Sequence, residues 1–89
     1  MLKDIIEVKP LRDYWVYLRF EDGVEGKVNI AELIEFRGVF TALFDPAYFA
    51  QVRVNPELGT IYWPNDTDLD PDVLYSIVTK EPLPLLELA

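Results

Sequence analysis

From Tyr14 to Asn29 apolar and polar residues alternate with the period of two that marks half-buried strands. Tyr14, Val16, Leu18 and Phe20 fall on one face of a strand, and Val24, Gly26 and Val28 on one face of the next. A two-residue loop at Asp22-Gly23 would set Phe20 against Glu25 and Leu18 against Lys27, apolar against charged. A three-residue loop, Glu21 to Gly23, closing on Gly23 in the left-handed conformation instead pairs Phe20 with Val24, Leu18 with Gly26 and Val16 with Val28. Its other face then matches Arg19 with Glu25 and Tyr17 with Lys27. A slip of one residue would invert every side chain, so the pattern predicts this register. Trp15 and Tyr17 stand on the second face among charges, where another part of the chain or a partner must cover them.

The flanking pattern extends this hairpin into a small sheet. Ile6 and Val8 alternate with Glu7 and Lys9, which predicts a first strand that stops at Pro10, and Leu11-Arg12-Asp13 turns into the hairpin. Asn29 precedes Glu32 by three residues, a capping-box spacing that opens a helix through Ile30, Leu33, Ile34 and Phe36, with Gly38 as its stop. Val39, Phe40, Leu43 and Phe44 resume helical spacing and read as core. Asp45-Pro46 and Asp70-Pro71 each join a capping carboxylate to a proline suited to the first helical position, marking helices at Pro46 to Ala50 and Pro71 to Thr79. The second should bury Val73, Leu74, Ile77 and Val78, with Tyr75 on its flank. Between them, a strand at Gln51 to Val54 returns through Pro56 to Gly59 into Thr60 to Trp63, pairing Val54 with Ile61 and Val52 with Trp63 inside. Outside, Arg53 meets Tyr62, a cation–π spacing.

These elements predict an α+β domain: a small antiparallel sheet of about five strands, two hairpins and an N-terminal strand, with two to three short helices. Residues 1–80 form the domain. Residues 81–89 form an apolar tail, broken by Pro82 and Pro84, that packs on its own domain or on a second copy.

Composition narrows the chemistry. At 89 residues, 51% hydrophobic and 13% aromatic, the chain should fold as one small core. Without cysteine or histidine it lacks disulfides, thiolate chemistry and the commonest general base and metal ligand. No apolar run approaches the ~20 residues of a membrane span and no signal segment opens the chain, so it reads as cytoplasmic. The net charge is −8, and residues 54–89 carry seven acids against one lysine. Such a half repels phosphate backbones, and nucleic-acid binding by this chain alone is not expected.

Asp66, Asp68, Asp70 and Asp72 alternate like the opening of a calcium loop, but Pro71 stands where that loop needs glycine and Ile77 where it needs a bidentate glutamate. They read as a solvated turn and helix cap; no metal or cofactor is expected. Ser76 has no histidine to activate it and no glycine-rich loop cradles a phosphate, so no catalytic residue is assigned.

The segments DYWVYLRFEDG, GVFTALFDPAYF and VRVNPELGTIYWPNDTDLDPDVLY, in this order, resemble a bacterial family known as domain of unknown function 2442. That family usually follows the tryptophan with Asn-Gly and then Asp-Leu. Here Trp63, Asn65, Asp68 and Leu69 match, while Asp66 stands in place of the glycine, a departure that bears on the turn and not on the fold. The resemblance implies an α+β domain on an antiparallel sheet, without agreed catalytic residues. Such domains occur fused to a DNA-binding helix-turn-helix, for which this chain has no room, or alone beside another small gene in an arrangement like a toxin–antitoxin pair. The expected function is therefore a non-catalytic protein-interaction module, an antitoxin-like member of a two-gene pair, whose partner is the neighbouring gene's product or a second copy. Trp15, Tyr17, Arg53 and Tyr62 are the candidate partner-binding residues. The alternative is a ligand-binding or catalytic cleft of Trp63, Asp66, Asp68 and Tyr75.

Overall fold

The computed structural model describes residues 4–79; the apolar tail, 81–89, lies outside them. Strands β1 (Ile5–Pro10), β2 (Trp15–Phe20) and β3 (Glu25–Asn29) form an antiparallel sheet in the order β1-β2-β3, and β4 (Arg53–Asn55) and β5 (Thr60–Tyr62) form a separate antiparallel hairpin. Helix α1 (Pro46–Phe49) precedes β4 and helix α2 (Pro71–Thr79) follows β5. The fold is α+β.

The central hairpin has the three-residue loop. Val16 pairs with Val28, Leu18 with Gly26 and Arg19 with Glu25, while Gly23, at φ +91°, donates to Phe20 O (2.9 Å) and Phe20 N–H bonds Val24 O (2.8 Å). Val16, Leu18, Phe20 and Val28 are consequently sealed in the core beside Ile5, Ile30, Leu43, Ile61, Trp63 and Leu74. Each such aliphatic or aromatic side chain contributes roughly 1.5–3 kcal/mol on burial. The second hairpin has its expected register, Val54 with Ile61 and Arg53 with Tyr62. Asn55 builds the loop: its side-chain oxygen accepts from Glu57 and Leu58 N–H (2.9 and 3.2 Å), and its carbonyl from Gly59 N–H (2.8 Å). Gly59 in turn accepts from Ile5 N–H at 2.9 Å, fastening the two sheets together.

Four local expectations are corrected. Strand β1 carries a bulge between Ile5 and Glu7, so Ile5 (1% exposed) and not Ile6 (48%) faces the core with Val8. Asn29, accepting from Ala31 N–H, caps a single 3-10 turn, Ile30–Glu32, and not a helix to Phe36; Gly38 does not stop a helix but begins the 3-10 segment Gly38–Phe44. Three residues per turn align Phe40 and Leu43 inward and leave Val39 and Phe44 outside, 66% and 62% exposed, where a period of 3.6 would have buried all four. In α2 only Leu74 is fully buried, and Ile77 lies at the surface.

Both aspartate–proline caps form: Asp45 accepts from Ala47 N–H (2.9 Å) and Asp70 from Asp72 N–H (2.8 Å). Helix α2 reaches the sheet because residue 26 is glycine; a Cβ there would lie 2.9 Å from Val78 Cγ1.

Candidate interaction surface

The outer face of the first sheet carries Glu7 and Lys9 from β1, Trp15, Tyr17 and Arg19 from β2, and Glu25, Lys27 and Asn29 from β3. Most of these satisfy one another. Arg19 Nε donates to Glu7 Oε1 (3.0 Å), Lys9 Nζ lies 3.5 Å from Glu7 Oε2 and 5.7 Å from the Tyr17 ring centroid, and Tyr17 OH donates to Glu25 Oε1 (2.5 Å). The Arg19 hydrogen bond holds the Glu7 carboxyl below its ordinary value, and the same bond raises Arg19. Donation to Glu25 raises the Tyr17 phenol, because ionisation would break the bond and leave two anions together. Trp15 stands outside this network, more than a third exposed.

Trp15 also marks the end of the sheet where the backbone is strained. Asp13 and Tyr14, in the 3-10 turn Arg12–Tyr14, have φ of +57° and +67°, a conformation that L-residues adopt at a cost of roughly 1–2 kcal/mol each. Tyr14 is thus not the first residue of β2, as the alternation suggested, but its ring still packs inward. It lies 4.9 Å from Phe36, 5.4 Å from Phe49 and 6.2 Å from the exposed Phe44 between ring centroids, and its hydroxyl donates to Phe44 O. The contacts of this ring offset the strain. Beside the turn is an open groove of about 350 Å³ lined by Leu11, Arg12, Asp13, Tyr14, Pro46, Phe49 and Ala50. Leu11 is held at its rim by a bond from its N–H to Trp15 O (2.8 Å). Leu11, the strained pair and Phe44 were not legible as surface features: alternation put Tyr14 in a strand, and helical spacing put Phe44 in the core.

The four candidate partner-binding residues divide between two sheets: Trp15 and Tyr17 on the first, Arg53 and Tyr62 opposed on β4 and β5. Arg53 makes no ring contact with Tyr62; among the described residues the cation placed over a ring is Lys9, over Tyr17. The alternative quartet is not gathered into one cleft. Trp63 is fully buried and its indole N–H donates to Phe49 O (2.9 Å), while Tyr75 stacks edge-on against Phe20 and donates to Asp22 Oδ2 (2.6 Å) at the hairpin turn. Asp66 and Asp68 share an open hollow of about 280 Å³ with Val39, Phe40, Asn65 and Thr67. Among the described residues no three acidic side chains converge to hold a metal ion, and no helix is long and apolar enough to cross a membrane.

The turn at Asp66 repeats the one at Gly23. Trp63 N–H bonds Thr67 O (2.9 Å) and Asp66 N–H bonds Trp63 O (2.8 Å), as Phe20, Gly23 and Val24 do in the central hairpin. Asn65 Oδ1 accepts from Thr67 N–H as Asp22 Oδ1 does from Val24 N–H. Asp66, at φ +66°, occupies the left-handed position taken there by glycine.

Two antiparallel hairpins, one extended to a third strand, two short helices and a charged, aromatic outer face define a small α+β domain. Its sequence matches the family described as Protein of unknown function (DUF2442) over residues 5–80, and the chain belongs to that family. No curated protein and no solved structure matches it.

Proposed function

We propose that this domain is a non-catalytic protein-interaction module that binds a partner through the outer face and Trp15 end of its first sheet. The observation that carries this reading is Trp15: a large, rigid ring held on a strand of firm register, exposed, and not engaged by the ion-pair network beside it. Such rings anchor interfaces at little entropic cost, and the neighbouring Tyr17, Glu7 and Arg19 supply a preorganised polar rim. The partner is the product of the adjacent gene, as the family arrangement implies, and an acidic chain suits a basic partner.

The test is co-expression with the adjacent open reading frame, followed by titration calorimetry on the purified pair. Trp15→Ala should weaken binding by about tenfold or more, corresponding to ~1.4 kcal/mol or more, while moving Tm little. An adjacent product that fails to bind, or an affinity unchanged by Trp15→Ala, would refute the reading.

A further inference from the structure

Strand β3 is the open edge of the first sheet. Phe20 bonds Val24, so Gly26 and Val28, two and four residues further on, also turn their backbone groups toward β2. Glu25 and Lys27 therefore point their N–H and C=O groups outward, as does the N–H of Asn29, and among the described residues no backbone group pairs with them. The other edge is interrupted at its two ends: Pro10 has no donor, and Ile5 N–H is spent on Gly59 O. A row of outward amides is a template for a further strand.

We infer that a second copy of this chain supplies that strand, its β3 pairing antiparallel with the first about a twofold axis through Gly26. Charge sets the register. With the axis at Gly26, Glu25 of each copy faces Lys27 of the other, twice over, and both belong to the set whose backbone groups point outward, so each pair exchanges two backbone bonds. An axis one residue on would oppose Lys27 to Lys27. Glu25 uses Oε1 to accept from Tyr17, leaving Oε2 to meet the ammonium. On the inner face Gly26 meets Gly26 and Val24 meets Val28. Each α2 rests on its own Gly26 through Val78, on the inner face of the strand that pairs. The result is a continuous six-stranded sheet with a self-complementary interface. It does not depend on the Trp15 surface.

Residue-resolved amide exchange on the 89-residue chain, with sedimentation of the same solutions, tests the proposal. Gly26 and Val28 amides are protected by β2 in monomer and dimer alike. Those of Glu25 and Lys27 should slow by about tenfold or more only where the chain sediments at twice its 10.3 kDa monomer mass. Lys27→Glu, with its circular dichroism unchanged, should weaken the dimer by about tenfold or more, since glutamates then face each other. A chain that stays monomeric at millimolar concentration overturns the proposal, as does fast exchange of these two amides in the dimer. Protection of those amides in a monomer, or a dimer indifferent to Lys27→Glu, overturns it equally.

Discussion

Gly26→Ala asks whether α2 is seated by the absence of one methyl group. The new Cβ would lie 2.9 Å from Val78 Cγ1 and 3.6 Å from Val78 Cβ and Cγ2. Val78 is β-branched on a helix, where one χ1 rotamer dominates, so the side chain cannot swing aside cheaply. Either it leaves its rotamer, for roughly 0.5–1.5 kcal/mol, or the helix shifts, and overpacking of this kind costs about 1–3 kcal/mol. Removing a glycine from a strand returns roughly 0.5–1 kcal/mol. The net loss should be about 1–2 kcal/mol, or ~4–16 °C in Tm for a domain of this size. Urea unfolding followed by far-ultraviolet circular dichroism measures it. In a Val78→Ala background the obstacle is gone, and Gly26→Ala should become neutral or slightly stabilising, a coupling of about 1–3 kcal/mol between the two sites. Equal costs in both backgrounds, or no cost in either, would show that the helix does not rest on this glycine.

Asp66→Gly should stabilise the domain by about 0.5–1 kcal/mol, read as a raised Tm, because the position at φ +66° suits glycine better than aspartate; a lowered Tm refutes the left-handed turn. The bulge in β1 separates two neighbouring isoleucines: Ile5→Ala should cost about 2–5 kcal/mol in urea unfolding and Ile6→Ala within about 0.5 kcal/mol, and equal costs would place the bulge elsewhere. Glu7 is held below its ordinary 4.5, so its contribution to stability is full above that value and is lost as pH falls through the lowered one; Glu7→Gln should flatten the acid limb of the stability profile. Tyr17 is raised above 10.0, so its contribution is full below that value and disappears as pH rises through the raised one. Phenolate absorbance should contain a late-titrating contribution from Tyr17, which Glu25→Gln should move to lower pH.

The parts of the fold legible in the chain are those where two local signals agree. Around Gly23 the alternation, the charge matching of Arg19 with Glu25 and the turn residue all select one register, and Asp45-Pro46, Asp70-Pro71 and Asn55 through Gly59 each carry their own hydrogen-bonding device. Where a single periodicity stood alone, tertiary packing decided. A period-two count sets Ile6, and not Ile5, on the face of Val8; the bulge reverses this, and the reversal follows the bonds of Asp4 and Ile5 to Glu21 and Gly59. Val39 through Phe44 fit a 3.6 period and a 3.0 period almost equally well over six residues; the carbonyl of Val39, held by Asn65 and Thr67, and that of Phe44, held by Tyr14, accompany the tighter coil. Of the candidate interaction surface, Trp15 and Tyr17 were visible as aromatics on a charged face. The left-handed pair Asp13 and Tyr14 was not, because aspartate tolerates that conformation only as one turn residue among others and nothing in the sequence marks it at a tyrosine.

The two indoles occupy opposite environments, Trp63 sealed with its N–H bonded to a carbonyl and Trp15 open to water on the outer face. The native protein should accordingly emit as two spectrally distinct fluorophores, one blue-shifted and shielded from acrylamide, the other red-shifted and quenched by it. Loss of the first reports unfolding, and shielding of the second reports docking on the sheet, so a single unlabelled sample can follow folding and complex formation at once.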